Sequence, residues 1–254
     1  KSYRVPRSVY RLANHLVNRI GIRQEKDWQP RDEDGAVDFH MNWYDVNIDE
    51  GSWTIMARTN KALNSIHHSL REDGYLFERF GHSMISPELL EAMDIWQRLA
   101  RGETASVNDV KKLYTFMPKQ GERALLKRAA TKTFDAVDPQ GFHNYDNLVA
   151  EHGMIALQDA RPEVVVNMSL EDIRYMGAVR RRGEDLTKPR INLSTIHRMK
   201  GGEDDNILLL TDSSYPAVNN PDQDDEHRVF YTAVTRARHN LHIVDSHARY
   251  RYVI

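Results

Sequence analysis

Hydrophobic positions follow helix-like spacing near the N-terminus of the chain. After Pro6, apolar side chains recur every three or four residues at Val9, Leu12, Ala13, Leu16, Val17 and Ile20. This spacing is typical of an amphipathic helix, and proline is well suited to a first helical position. We therefore predict a helix that begins at Pro6 and ends before Gly21.

Short apolar runs then alternate with polar segments. Residues 36–41, 53–57 and 75–80 have the length and side-chain types of strands, and residues 58–74 follow the second run with helical periodicity. A strand, a polar turn and a helix in succession predict an α/β layer.

The C-terminal part of the chain repeats this alternation. Residues 191–195 and 207–210 are predicted strands, joined by a basic, glycine-rich turn at 197–202. Asp224 and Asp225 then offer N-cap oxygens to a helix with one apolar face. We expect Arg236, Arg238 and His239 in its last turn, before a strand at 241–244. Arg236 and Arg238 also fit the simpler role of neutralising the negative end of that helix.

The middle of the chain lacks strand-like alternation. Five successive segments have helical spacing, at residues 86–103, 106–117, 121–134, 147–159 and 169–183. Ser86, Ser106 and Ser169 stand where N-cap residues are expected. This pattern predicts an all-α insertion within the α/β domain.

Composition narrows the class of protein. The chain has 254 residues, 40% of them hydrophobic, which is enough to build a core, and a net charge of −2. It contains no cysteine, which excludes disulfides and thiolate metal sites and fits a reducing cytoplasm. No apolar run approaches the ~18 residues of a membrane span. The 12 histidines show no recognised metal-ligand spacing, so we expect no metal site.

Two segments combine into a recognisable set of motifs. TIHRMKGGE at 195–203 and YTAVTRAR at 231–238 resemble motifs V and VI of superfamily 1 helicases. The opening SYRVP resembles motif IV, and TIMARTNKAL at 54–63 resembles motif IVa. On these motifs the chain is identified as similar to the C-terminal half of a UvrD/Rep-type DNA helicase.

The resemblance implies a fold and its divisions. It predicts an α/β fold whose core is a RecA-like parallel-sheet domain of the P-loop NTPase type, interrupted by an all-α insertion. The expected divisions are 1–85 for the first part of the RecA-like 2A domain, 86–187 for a helical 2B-like insertion, and 188–254 for the second part of 2A. The P-loop itself is missing, because the sequence contains no GxxxxGK[ST] segment.

The resemblance also implies roles for individual residues. Tyr3 would stack on adenine, Arg4 and Arg236 would contact the γ-phosphate as catalytic arginines, and Gly201 and Glu203 would bind nucleotide, with Glu203 on the ribose.

The DNA-binding residues would be Arg58, Thr59 and Asn60, together with Thr195 and His197. The implied cofactors are ATP and Mg²⁺, held mainly by an N-terminal RecA-like domain that would precede this half. The expected partners are that domain and single-stranded and duplex DNA, with no membrane, in a monomeric cytoplasmic protein.

Departures from the family pattern keep alternatives open. Gly202 stands where motif V usually has leucine, and motif VI also resembles the RecD-like branch, which moves with opposite polarity. Lys200 and the helical insertion favour the UvrD/Rep type and 3′ to 5′ unwinding. A RecB/AddA-like recombination enzyme shares these motifs. A helicase-derived DNA-binding or scaffold module without hydrolysis is the alternative of a different class.

Overall fold

The computed structural model describes residues 5–24, 28–135, 137–199, 201–245 and 248–254. Tyr3, Arg4 and Lys200, for which the sequence led to predictions, lie outside the described residues.

Helices and strands alternate at both ends of the chain. The helices are α1 (Arg7–Val17), α2 (Asn60–Glu72), α3 (Pro87–Ala100), α4 (Val107–Phe116), α5 (Tyr145–Glu151), α6 (Pro162–Val165), α7 (Leu170–Arg182), α8 (Tyr215–Val218) and α9 (Asp224–Val234). The strands are β1 (Ala36–His40), β2 (Trp53–Ala57), β3 (Phe77–Arg79), β4 (His82–Ser83), β5 (Ala105–Ser106), β6 (Phe142–His143), β7 (Ile191–Thr195), β8 (Asp204–Leu210) and β9 (Ala237–Val244).

Contacts divide the chain into two compact units. One unit, the α/β unit, consists of residues 1–84 and 184–254, and the other, the helical unit, consists of residues 85–183. A change from strand-like to helical periodicity was expected at 86, with a return to strands after 187. Whether the helical unit corresponds to a 2B subdomain stays a prediction.

A seven-stranded sheet forms the centre of the α/β unit, in the order β1-β9-β8-β2-β7-β3-β4. All neighbouring pairs are parallel except β3 with β4. Strand β2 lies between β7 and β8, and all five of its residues are buried, as expected for a central parallel strand. The α/β fold expected from the sequence is confirmed.

Helices α1 and α9 pack together against one face of this sheet. Val9, Ala13 and Leu16 of α1 share a buried cluster with Phe230 and Val234 of α9. These are the positions that the helical spacing selected, which accounts for the close agreement between pattern and packing. The bounds of α1 differ slightly from the prediction, because Pro6 is its N-cap residue and the helix ends at Val17.

Two details of α9 correct the sequence analysis. Its N-cap residue is Gln223, and the Asp224 carboxylate instead accepts hydrogen bonds from the backbone N–H groups of Gly21 and Ile22, at 2.8 and 2.9 Å. Asp224 therefore secures the chain just after α1. In addition, β9 begins at Ala237, so Arg238 and His239 lie on the strand and not in the last helical turn.

The helical unit is less regular than predicted. Ser86, Ser106 and Ser169 cap α3, α4 and α7 as expected, each accepting a backbone N–H at its side-chain oxygen. Residues 121–134 do not form the expected α-helix and contain only a 3-10 segment, Ala130–Phe134. The helix expected at 147–159 is α5, which ends at Glu151. Strands β5 and β6 form a small antiparallel pair, so the unit is not all-α.

None of the helices in the described part of the chain has the length and apolarity that a bilayer span requires.

Candidate functional site

The parallel sheet separates the predicted site residues into two groups. Parallel strands start at one edge of a sheet and finish at the other, so residues before β8 and β9 lie at the amino edge, and residues after β2 and β7 lie at the carboxyl edge. Gly201, Glu203 and Arg236 belong to the first group. The residues predicted to bind DNA belong to the second.

At the amino edge, Arg236 is held against the glycine-rich turn. Its side chain is buried, and its Nε donates to the backbone oxygen of Thr232 at 3.0 Å while its Nη1 donates to that of Gly202 at 3.1 Å. The backbone N–H of Asp204 in turn donates to the Arg236 oxygen at 3.1 Å. The two motifs that suggested a nucleotide site are thus in direct contact.

Glycine at position 201 and glycine at position 202 of this turn are explained by different structural features. Gly201 has φ +91°, a conformation that L side chains rarely adopt. At Gly202 a Cβ would lie 2.7 Å from Cε of Met199, so the Met199 side chain occupies the space beside the position where the family usually has leucine.

Glu203 is one of the acidic residues at the amino edge. Its carboxylate lies 3.7 Å from Nε of Arg238, and Nε of Arg238 is 3.8 Å from the Asp205 carboxylate. These side chains are between a third and a half exposed, so solvent weakens their attraction. The ion pair between Glu203 and Arg238 is therefore weak.

The segment that follows Tyr3 and Arg4 reaches the same edge. The backbone oxygen of Val5 accepts from the N–H of Arg31, and Pro6 lies beside the start of β9. A Cβ added to Gly35, which has φ +64°, would lie 2.6 Å from Cγ of Pro6 and 2.7 Å from the oxygen of His239. Only glycine fits at this close approach.

At the carboxyl edge, Arg58 is held by a carboxylate that the sequence analysis did not single out. Its Nε lies 3.0 and 3.2 Å from the two oxygens of Glu226, and its Nη2 lies 2.8 Å from Oε1. The Glu226 side chain is 8% exposed and the Arg58 side chain 25% exposed. Such a two-point contact fixes the plane of the guanidinium.

The other predicted DNA-binding residues adjoin this pair. Thr59 is the N-cap of α2, where its hydroxyl accepts the N–H of Ala62 at 3.3 Å, and Asn60 is the first residue of that helix. Thr195 ends β7, which pairs with β2, and His197 follows in the next turn.

The charges of Arg58 and Glu226 both affect the pKa of His197. Partial desolvation and then the positive charge of Arg58 lower the pKa of His197, and the Glu226 carboxylate raises it in part. His197 is therefore held in its neutral form at neutral pH, and Arg58 supplies the positive charge here.

The described residues contain no group of three or more His, Asp or Glu side chains placed to hold a metal ion.

No simple sequence signal identifies Glu226 as the partner of Arg58, because the two residues are 168 positions apart. Only the topology, which places the end of β2 beside the first turn of α9, brings them together.

The mostly parallel sheet and its helices form an α/β fold. Residues 155–247 match the family model of the UvrD-like helicase C-terminal domain. The matched range contains the segments that resemble motifs V and VI, and it supports a UvrD/Rep-type superfamily 1 helicase C-terminal half. No curated protein sequence matches the chain. A domain of this family indicates a helicase-type function in general, with DNA as its partner.

Proposed function

We propose that the chain is the C-terminal part of an ATP-dependent DNA helicase that unwinds DNA in the 3′ to 5′ direction. The observation that carries the proposal is the contact between Arg236 and the glycine-rich turn at the amino edge. It brings the motif VI arginine and the motif V glycine and glutamate to one edge of the sheet, within a chain that matches a helicase domain.

The amino edge would contribute a cation to a nucleotide phosphate site. ATP, with Mg²⁺, would supply the free energy of phosphoryl transfer when bound mainly by a preceding RecA-like domain. Within this chain, Arg236 would place positive charge beside the γ-phosphate, and the planar guanidinium can contact two phosphate oxygens at once. Glu203, which is partly exposed, would accept a hydrogen bond from the ribose. Arg4 and Tyr3 are proposed to complete this edge.

The carboxyl edge is proposed to bind single-stranded DNA. Arg58 would contact a phosphate, and Thr59, Asn60, Thr195 and His197 would contribute polar contacts beside it. The two edges are joined by α9, whose first turn carries Glu226 and whose C-terminal end leads into Arg236. A helicase requires such a connection, because nucleotide closure has to change the grip on DNA.

Single-strand binding by the 254-residue chain tests this proposal. We expect weak binding of a labelled oligonucleotide that decreases steeply with salt, because each neutralised phosphate releases counterions. Arg58→Gln should weaken binding and reduce the slope of log K against log salt by about 0.7, the value for one phosphate contact on a single strand. Arg71→Gln, which removes a cation from the last turn of α2, is the control.

Absence of binding at low ionic strength would refute DNA contact by this half. Equal salt slopes for wild type and Arg58→Gln would refute the role of Arg58.

A scaffold without hydrolysis remains the second candidate function. It would bind DNA in the same assay, but no ATP turnover would depend on Arg236.

A further inference from the structure

The turn between β3 and β4 has an unusual residue at its tip. Arg79 pairs with His82 across the antiparallel hairpin, so Phe80 and Gly81 form a two-residue connection. Their φ angles are +59° and +84°, and both are positive, as in the type I′ turn. That turn prefers Asn-Gly, because a bulky side chain at positive φ is strained. Phe80 therefore adopts a backbone conformation that is unfavourable for a bulky side chain.

Burial in the core does not compensate for this strain. Phe80 is partly exposed, in contrast to Phe77 on the same strand, which is fully buried. A Cβ at Gly81 would meet no atom within 4 Å, so the hairpin tip is open. Strain of this kind, kept at a partly exposed position, points to a use of the side chain.

Two arginines lie near the face of the Phe80 ring. The guanidinium carbon of Arg198 is 4.4 Å from the ring centroid, and that of Arg79 is 5.0 Å away. Arg198 is exposed and follows His197 directly in the chain. The ring thus lies within a locally cationic surface.

The hairpin tip is next to the predicted DNA-binding edge. Strand β3 pairs with β7 in parallel, with Arg79 opposite Leu193, so Phe80 falls beside the last residues of β7. Strand β7 in turn pairs with β2, which leads to Arg58. The carboxyl ends of β2, β7 and β3 therefore present Arg58, His197 and Phe80 in that order.

We propose that Phe80 is a stacking platform for one base of a single-stranded nucleic acid, with Arg198 as the cation for the adjoining phosphate. This inference rests on the proposed function, because it extends the strand-binding edge from β2 and β7 to β3. A base stacked on an aromatic ring is worth more than an exposed cation–π contact. The base therefore replaces Arg198 on the ring, and the released guanidinium pairs with phosphate.

Substitution of the ring tests the proposal directly. In titrations of the 254-residue chain with labelled oligo(dT) at low salt, Phe80→Leu should weaken binding about 5- to 150-fold, the contribution of one base–aromatic stack. Phe80→Tyr should retain the affinity. The salt slope should not change in Phe80→Leu, because no charge is lost, whereas Arg198→Gln should reduce it by about 0.7.

A second variant separates stacking from a structural role. Phe80→Asn suits the positive φ angle, so the melting temperature should stay level or rise while the affinity falls as in Phe80→Leu. A structural role for the ring predicts the reverse, with lower stability. Ala129→Gly is the matched control, because Ala129 also has a positive φ, +61°, but lies in the helical unit. It should relieve strain and leave DNA affinity unchanged.

The outcomes distinguish this inference from the proposed function. If the wild-type chain binds oligo(dT) and Phe80→Leu and Phe80→Asn bind equally well, the stacking role is wrong and the proposed function stands. If the wild-type chain does not bind at all, DNA contact by this half fails and the stacking role fails with it.

Discussion

Arg236 makes two hydrogen bonds from different nitrogens of one guanidinium, to the backbone oxygens of Thr232 and Gly202. A lysine has a single nitrogen and cannot reproduce this geometry. The side chain is thus held in one orientation by the corner between α9 and β9. A fixed cation at a nucleotide site acts without reorganisation when charge develops on the phosphate.

If this chain is part of a longer ATP-dependent helicase, as proposed, we expect Arg236→Ala and Arg236→Lys to abolish most of the DNA-stimulated ATPase of that protein. Loss of an arginine that contacts the γ-phosphate lowers turnover by roughly 10³- to 10⁵-fold. Lysine should rescue poorly, because its ammonium group is a point charge without a planar fork. Turnover is measured at matched folded fraction, since the variants also lose hydrogen bonds at the α9–β9 corner.

Arg238→Ala is the matched control for this measurement. Arg238 lies two residues along the same corner, but its side chain is half exposed and its ion pairs are long, at 3.7 and 3.8 Å. Near-wild-type turnover in either Arg236 variant would show that Arg236 only neutralises the end of the helix.

At the residue scale the sequence predicted which residues share a site but not which residues are in contact. The motifs assigned Arg236 and Gly201 to one proposed nucleotide site, but they did not predict the hydrogen bond between Arg236 and Gly202. The ion pair of Arg58 could not be predicted either, because its partner is one acidic residue among many until the topology places it. Phe80 was also missed, and the Phe-Gly pair at the end of a predicted strand was the available signal for a hairpin.

Helix α9 links the two edges of the sheet. Its first turn carries Glu226, which holds Arg58 at the carboxyl edge, and its C-terminal end leads into Arg236 at the amino edge. Three acidic residues in the first turn also favour the helix through its dipole. The element is therefore anchored by charge at one end and by hydrogen bonds at the other.

Glu226→Gln should destabilise the α/β unit and weaken single-strand binding. Removing one partner of a buried ion pair costs about 3 to 5 kcal/mol, and we expect the lower end because Arg58 is a quarter exposed. Single-strand binding should weaken because the Arg58 guanidinium loses its fixed plane. Urea unfolding and oligonucleotide titration measure the two effects.

Glu184→Gln is a close control, because Glu184 and Arg190 form another two-point ion pair in the same unit, with side chains 7% and 22% exposed. It should lower stability to a similar extent and leave DNA affinity intact. In a double-mutant cycle, Glu226→Gln should have no further effect on DNA binding once Arg58→Gln is present. Additive effects of the two substitutions on affinity would rule out positioning of Arg58 by Glu226.

Elements with strong local signals were predictable. Helices α3, α4 and α7 each combine a serine cap with regular apolar spacing. Residues 121–134 have similar spacing but do not form an α-helix, because Ala129 adopts a positive φ and Leu126 pairs with Met154 in an isolated bridge. Tertiary pairing overrides helix propensity there.

The whole chain combines a discontinuous α/β unit with a helical unit. A change from alternating to helical periodicity was expected from the sequence at 86, with a return after 187, and the helical unit spans 85–183. The small β5–β6 pair could not be predicted, since each strand has only two residues. Motifs lie at both ends of the chain, and only the fold shows that they belong to one sheet.

The chain by itself should not hydrolyse ATP. The sequence contains no GxxxxGK[ST] loop, and a cradle of backbone N–H groups with a lysine is what holds the β- and γ-phosphates in proteins of this class. Arg236 and Glu203 lie at the edge of a sheet and offer one cation and one carboxylate, which are too few to bind a triphosphate with its metal ion. We therefore expect phosphate release from ATP at background level, with and without oligo(dT).

The Arg236→Ala form of the same chain makes this assay decisive. A contaminating ATPase would give the same rate in both preparations, whereas hydrolysis by the chain itself would fall with the arginine. A rate above background that disappears in Arg236→Ala would show a complete nucleotide site within these 254 residues, and a site shared with a preceding domain would then be wrong. Equal background rates in both, together with DNA-stimulated hydrolysis by a longer protein carrying a P-loop, would agree with a site divided between two domains.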